Sequence, residues 1–157
     1  HHLMAQKLGF AQPDETVTHL LDELLTQMHA TRTDYTLLFR ALGEVPRDSN
    51  EAAPALRDRF VDRERFDRWL DGYRSHLRAS ARNDAARRPA MLATNPKYVL
   101  RNYLAQVAIE KAEHGDYAEI ERLLTVLRAP FEEHPQLAHY AEPPPEWADN
   151  IQVSCSS

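Results

Sequence analysis

One recurring pattern constrains this sequence more than any other: apolar side chains spaced three and four residues apart. Val17, Leu20, Leu21, Leu24, Leu25 and Met28 fall at i, i+3, i+4, i+7, i+8 and i+11, a single stripe along an α-helix. Asp14 and Glu15 precede the stripe, where negative charge suits the positive end of a helix dipole. Tyr35, Leu38, Phe39 and Leu42 repeat the spacing, and Gly43 followed by Pro46 closes it. The polar stretch from Pro46 to Pro54 reads as a surface loop. Phe66, Trp69, Leu70, Tyr73 and Leu77 then mark a third amphipathic helix. Ile151-Gln152-Val153 alternates as a strand would, but is too short to build a sheet. The expected class is all-α.

Further along, Asn95-Pro96 pairs a capping residue with a proline at the first helical position, where its missing N–H costs nothing. The spacing predicts a buried stripe of Leu100, Tyr103, Leu104, Val107 and Ala108. Gly115 ends that helix, and Asp116 with Glu119 three residues on suggests a capping box for the next. Ile120, Leu123, Leu124 and Leu127 give its stripe. So short a link predicts an antiparallel αα-hairpin within a helical bundle. Pro130, Pro135 and Pro143-Pro144-Pro145 predict an extended, partly polyproline-like tail, with Trp147 as an anchor against a helical surface. The layout read from the sequence is a tag remnant over 1–4, a helical domain over 5–130, and an extended tail over 131–157 that ends in the Cys155 motif.

Charge narrows the choice of partner. Residues 47–101 carry 13 Lys and Arg against 8 Asp and Glu, whereas residues 102–157 carry 3 against 10. Within the basic stretch, Arg57, Arg59, Arg63, Arg65 and Arg68 alternate with Asp58, Asp62, Glu64 and Asp67. Phosphate binding wants a basic face with few acids, so this interleaving reads instead as a solvated surface laced with i,i+3 and i,i+4 pairs. No nucleic-acid partner is expected. No apolar run approaches the roughly 20 residues that span a bilayer, and no signal peptide is visible. The cytoplasm is the expected compartment, with a mitochondrial matrix as the alternative.

No glycine-rich phosphate loop and no paired-histidine metal motif is present. His134 and His139 lie near Glu132 and Glu133, but without a ligand spacing they read as surface residues, and the adjacent carboxylates are no better as an acid/base pair. The aromatic set Trp69, Tyr73, Tyr98, Tyr103, Tyr117 and Trp147 has helical spacing that favours packing over base stacking. Arg101 and Asn102 flank the Pro96 helix, where an arginine ordinarily pairs with a carboxylate. No catalytic, cofactor-binding or metal-binding residue is assigned. Cys155 differs in kind: a single cysteine in a polar tail, it has no partner for an intrachain disulfide.

The run Asn95-Pro96-Lys97-Tyr98-Val99-Leu100-Arg101-Asn102-Tyr103-Leu104-Ala105-Gln106 resembles a signature of the selenoprotein O family. Gly115-Asp116-Tyr117, Pro144-Pro145-Glu146-Trp147-Ala148 and the ending Val153-Ser154-Cys155-Ser156-Ser157 also resemble that family, as do Lys7-Leu8-Gly9 and Asp34-Tyr35-Thr36. The resemblance implies a kinase-like protein adenylyltransferase that moves AMP from ATP to Ser, Thr or Tyr of protein substrates. It implies further that this chain is the carboxyl-terminal scaffold and regulatory segment. The catalytic kinase-like part, with its ATP and its Mg or Mn, would lie upstream of Ala5, and this chain would be inactive alone. Cys155 matches the terminal position that holds selenocysteine or cysteine in the family, which implies pairing with a cysteine of the kinase-like part. A free-standing helical protein-interaction module and a stand-alone thiol redox protein are the competing readings. If the Leu100–Ala108 stripe is core, Leu104→Ala costs about 2–5 kcal/mol in a urea titration; a value near zero removes Leu104 from the core.

Overall fold

The computed structural model describes residues 2–49, 51 and 53–150, the last two through their backbone only. Eight α-helices follow in order: α1 (His2–Lys7), α2 (Glu15–Thr31), α3 (Tyr35–Leu42), α4 (Pro54–Arg57), α5 (Arg63–Ala79), α6 (Asp84–Thr94), α7 (Asn102–Glu113) and α8 (Ala118–Arg128). Two 3₁₀ segments, Pro135–Ala141 and Glu146–Asn150, come last. Among the described residues there is no strand, so the fold is all-α. None of their helices is long and apolar enough to cross a membrane. The chain divides into two compact units, His1–Asn95 and Pro96–Ser157. This division differs from the sequence layout, which put one helical domain over 5–130.

In the first unit, side-chain oxygens open four of the described helices, α2, α3, α5 and α6. Asp14 accepts from the Val17 N–H at 2.7 Å, Asp34 from Leu37 at 2.9 Å, Asp62 from Arg65 at 3.0 Å and Asn83 from Ala86 at 3.0 Å. Each supplies a partner to one of the donors a helix start leaves bare. The bond from Val17 is the leading cause that holds the Asp14 carboxyl below its ordinary range. The stripes of α2 and α5 then join one core: Val17, Leu20, Leu21, Leu24 and Met28 with Phe66, Trp69, Leu70, Tyr73 and Leu77. Phe60, Phe66, Trp69 and Tyr73 form a continuous stack, with successive centroids 4.3, 5.7 and 5.1 Å apart. Both polar aromatic tips are satisfied: Trp69 Nε1 donates to Leu20 O at 2.8 Å and the Tyr73 hydroxyl to Leu8 O at 2.9 Å. Residues 2–4, set aside as a tag remnant in the sequence, lie within α1, and Met4 packs against this core.

The mixed charges of residues 57–68 join elements instead of lacing one helix. Arg57 of α4 donates from Nε to both carboxylate oxygens of Asp67 on α5, at 2.9 and 2.8 Å. Arg65 of α5 stands 3.6 Å from Glu23 of α2. The i,i+3 and i,i+4 expectation therefore fails at these two pairs, because α5 packs against both α2 and α4 and brings their flanks within reach.

From the end of the first unit onward, more of the sequence reading is corrected. Asn95 caps the end of α6, not the start of α7, and it is buried: its side chain donates to Lys7 O at 3.0 Å and accepts from Lys7 Nζ at 3.3 Å. Helix α7 starts only at Asn102, because the Lys97 and Tyr98 N–H groups both donate to Pro130 O and hold that stretch out of a helix. Leu100, expected in the stripe, is 56% exposed as a result. Gly115 does end α7, at φ +83°, with its N–H on Ala112 O and that of Asp116 on Lys111 O, the paired bonds of a Schellman cap. Helices α7 and α8 pack together as the expected hairpin. The buried face of α8 uses Leu123 and Val126, while Leu124 is exposed. The tail is not extended from Pro130 onward: Pro135 opens the Pro135–Ala141 segment, a position that suits a residue without an N–H, and Tyr140 enters the core. Trp147 sets its ring edge-on to Tyr103 at 5.9 Å and remains 58% exposed.

Two glycines separate by mechanism. A Cβ at Gly9, φ +90°, would lie 2.8 Å from Met91 Sδ and 2.9 Å from Arg87 Cγ. At Gly72, inside α5, the nearest atom would be Leu20 Cδ2 at an ordinary 3.8 Å. Gly72→Ala is therefore expected to raise stability by about 0.5–1 kcal/mol in urea unfolding, and Gly9→Ala to lower it by more than about 1 kcal/mol. Equal effects at the two positions would contradict this packing.

Candidate functional site

The structure builds two ionic centres, neither of which the sequence pattern singled out. The first surrounds Arg87, whose side chain is 1% exposed. Its guanidinium donates to Asp84 Oδ1 at 2.9 Å, to Val45 O, and to the Tyr73 hydroxyl at 3.4 Å, with Met91 Sδ at 3.0 Å. Burial pushes the Tyr73 phenol up to about 12, even against the Arg87 charge. Burial also works to raise Asp84, but the Arg47 N–H and the Arg87 guanidinium outweigh it and leave that carboxyl below its ordinary range. The next turn is held likewise: Arg74 donates to Pro46 O at 3.2 Å and Glu51 O at 2.7 Å, and Arg78 donates to Arg47 O at 2.9 Å. Beside Arg74 lies a cavity of about 380 Å³ whose walls include Val45, Pro54 and Leu56.

The second centre ties the tail to the hairpin. Glu119, on the buried face of α8 with its side chain 9% exposed, meets Lys111 Nζ at 2.7 Å and Arg122 Nη1 at 3.3 Å. Its other oxygen accepts a hydrogen bond from the Tyr140 hydroxyl, and Tyr140 is buried. Burial alone would raise the Glu119 pKa; the bonds from Lys111 and Tyr140 and the two cations reverse that and lower it. Tyr140 moves the other way, to about 12, through burial and then its bond to the carboxylate. Glu119 therefore does not close a capping box on Asp116; Asp116 Oδ1 accepts from the Ala118 N–H at 3.0 Å by itself. The signal available in the sequence was the spacing of Glu119 with Leu123 and Val126, which puts a carboxylate on an apolar face.

The residues weighed from the sequence fall apart spatially or have structural tasks. His134 Nε2 is 3.2 Å from Ala129 O, and its backbone N–H donates to the Tyr98 hydroxyl at 3.3 Å. His139 leans on the Tyr140 ring at 4.1 Å. Glu133 pairs with Lys97, so Glu132 and Glu133 do not converge on a common point. Among the described residues no group of three or more His, Cys, Asp or Glu is placed to hold a metal ion. Trp69, Tyr73 and Tyr98 are core, as their spacing suggested, but Tyr117 is 61% exposed. Cys155 lies outside the described residues.

What the geometry defines is an all-α chain whose charged groups serve as internal staples. The chain belongs to the protein adenylyltransferase SelO family, whose sequence model matches residues 1–128. It is similar to a protein nucleotidyltransferase YdiU of Burkholderia orbicola (strain MC0-3), 49% identical over 155 residues that make up 98% of this chain and 30% of that relative. A protein nucleotidyltransferase YdiU of Burkholderia multivorans (strain ATCC 17616 / 249) is 49% identical with the same coverage, and one of Burkholderia thailandensis is 49% identical over 154 residues. The chain spans about 30% of the length of these curated relatives.

The Glu119 centre has a pH signature. A carboxyl lowered by folding adds stability above its unfolded value of 4.5 and loses it as pH falls through the lowered value. The grip on Pro135–Ala141 is thus expected to be constant above about pH 5 and to fade below about pH 4. Tyr140→Phe, which leaves the carboxylate one bond short, is expected to cost about 1–3 kcal/mol, read by amide exchange in α8 and the 3₁₀ segment. Unchanged exchange in the variant would remove the staple.

Proposed function

We propose that this chain is the helical carboxyl-terminal scaffold and regulatory segment of a protein adenylyltransferase. In that reaction a Ser, Thr or Tyr hydroxyl of a protein attacks the α-phosphorus of ATP, a P–O bond forms, and pyrophosphate leaves. The observation that carries the reading is the family match over residues 1–128 together with coverage of only 30% of the relatives. The nucleotide cradle and the carboxylates that hold Mg or Mn belong, on this reading, to a kinase-like part outside this chain. What this chain supplies is rigidity. Arg87 and Arg74 fix the loops of the first unit, and Glu119 with Tyr140 fixes the segment from which residues 142–157 continue. Those residues carry Cys155, the thiol proposed to form a disulfide with a cysteine of the kinase-like part. Two thiols then lose two electrons and two protons to an oxidant such as a peroxide.

A second reading, a free-standing helical interaction module, draws on Tyr117, Leu124 and Phe131. These recur every seventh residue along α8 and its flanks and are 61%, 41% and 42% exposed.

The test uses the full-length protein and this chain side by side with ATP and Mg or Mn. AMP incorporation, followed by the mass of the acceptor, is expected from the full-length protein and not from this chain. Cys155→Ser is expected to keep that activity while abolishing its change on oxidation. Self-labelling by this chain alone would refute the division of labour, and an identical oxidant response in the Cys155→Ser protein would refute the redox role.

A further inference from the structure

Arg74, on α5 and 3% exposed, is a deeply set cation without a counter-charge in contact. Nε donates to Pro46 O at 3.2 Å and Nη1 to Glu51 O at 2.7 Å, both neutral main-chain oxygens. Among the described residues no carboxylate stands within ion-pair distance of it, and Asp71 and Glu51 act on it only through space. Burial is the leading influence and lowers its pKa even so. Carbonyls replace only part of the hydration that a guanidinium gives up, and buried charges are ordinarily paired. Nη2 has no acceptor among the described residues, yet it is not sealed from solvent.

The cavity of about 380 Å³ that Arg74 helps to line gives so deep a residue its access. Its other walls are mostly apolar, with Ala41 of α3, Val45, Pro54 and Leu56 among them. Two carboxylates also border it. Glu44 is held by Arg88, at 2.5 and 3.1 Å, while Glu51 offers Arg74 its main-chain oxygen. One uncompensated cation beside Glu51 answers a single negative charge and disfavours a dianion such as a phosphate monoester. A carboxylate carries that single charge on two coplanar oxygens, the shape a guanidinium edge accepts best. The apolar walls then call for a hydrocarbon body. The volume falls at the small end of ligand pockets, which run to roughly 300–1,000 Å³.

We propose that this cavity binds a small monocarboxylate with an apolar body, its carboxylate on Arg74 Nη2 and its hydrocarbon against Val45, Pro54 and Leu56. The site lies wholly within the first unit, so it does not depend on the adenylyl-transfer reading.

The experiment titrates hexanoate into the full-length protein and follows binding by calorimetry, with hexanamide and hexyl phosphate as comparisons. Saturable binding of hexanoate is expected, tighter than that of hexanamide by about tenfold and tighter than that of hexyl phosphate. Ala55, exposed on α4 and part of the cavity wall, supplies a variant that spares the buried guanidinium. Ala55→Trp is expected to abolish hexanoate binding while the melting temperature without ligand stays unchanged. Arg74→Lys, which keeps the charge and loses the planar edge, is expected to weaken hexanoate by about tenfold and to leave hexanamide unaffected. Absence of saturable hexanoate binding, equal affinity for hexanamide, or stronger binding of hexyl phosphate overturns the proposal. So does hexanoate binding that persists unchanged in folded Ala55→Trp protein, since the ligand would then sit elsewhere.

Discussion

One buried cation, Arg87, organises the first unit. Arg87 comes from α6, its carboxylate partner Asp84 lies one turn earlier, and its remaining donors reach Val45 after α3 and Tyr73 on α5. Tyr73 in turn holds Leu8 after α1, and Gly9 must lack a side chain so that Arg87 and Met91 can pass. Four elements thus depend on one guanidinium. Desolvating a charge is costly unless every donor is answered, so the arrangement has little tolerance for neighbours displaced even slightly. Energetically the surrounding apolar cluster holds the unit together; the guanidinium decides which arrangement of helices that cluster adopts.

The second unit uses the same device with the sign reversed. Glu119 is the buried charge, Lys111 and Arg122 answer it along the hairpin, and Tyr140 answers it from the tail. Its hydrophobic cluster is small, built on Tyr98, Leu104, Ala108, Leu123, Val126 and Tyr140. With so little apolar area to hold a 3₁₀ segment, the hydrogen bond to a charged acceptor supplies direction that packing alone would not. On the reading proposed for this chain that segment is of interest, because the sequence beyond it leads to Cys155.

Local periodicity was the legible part. The stripes of α2 and α5 lie where spacing put them, since a helix with one apolar face has one way to bury it. The expectations that failed were those where a distant group overrode a local one. Asn95-Pro96 has the grammar of a helix start, yet Pro130 O captures the next two N–H groups and Lys7 captures the asparagine. Leu124 fits the spacing from Ile120, although the buried face of α8 is set by Glu119, Leu123 and Val126. Pro135 suggests extended backbone, although a proline at the first position permits a helical turn to begin there. Arg87 was unreadable for a different reason: in Asp84-Ala85-Ala86-Arg87-Arg88-Pro89 it looks like surface, and only its place four residues before Met91 hints at an inward face.

Each unit buries its own hydrophobic cluster, one around Trp69 and the other around Leu104. Cooperativity follows shared burial, so a substitution in one cluster is felt first by the residues packed in that same cluster. Stability in a chain of this build is a local property, and it has to be assigned unit by unit.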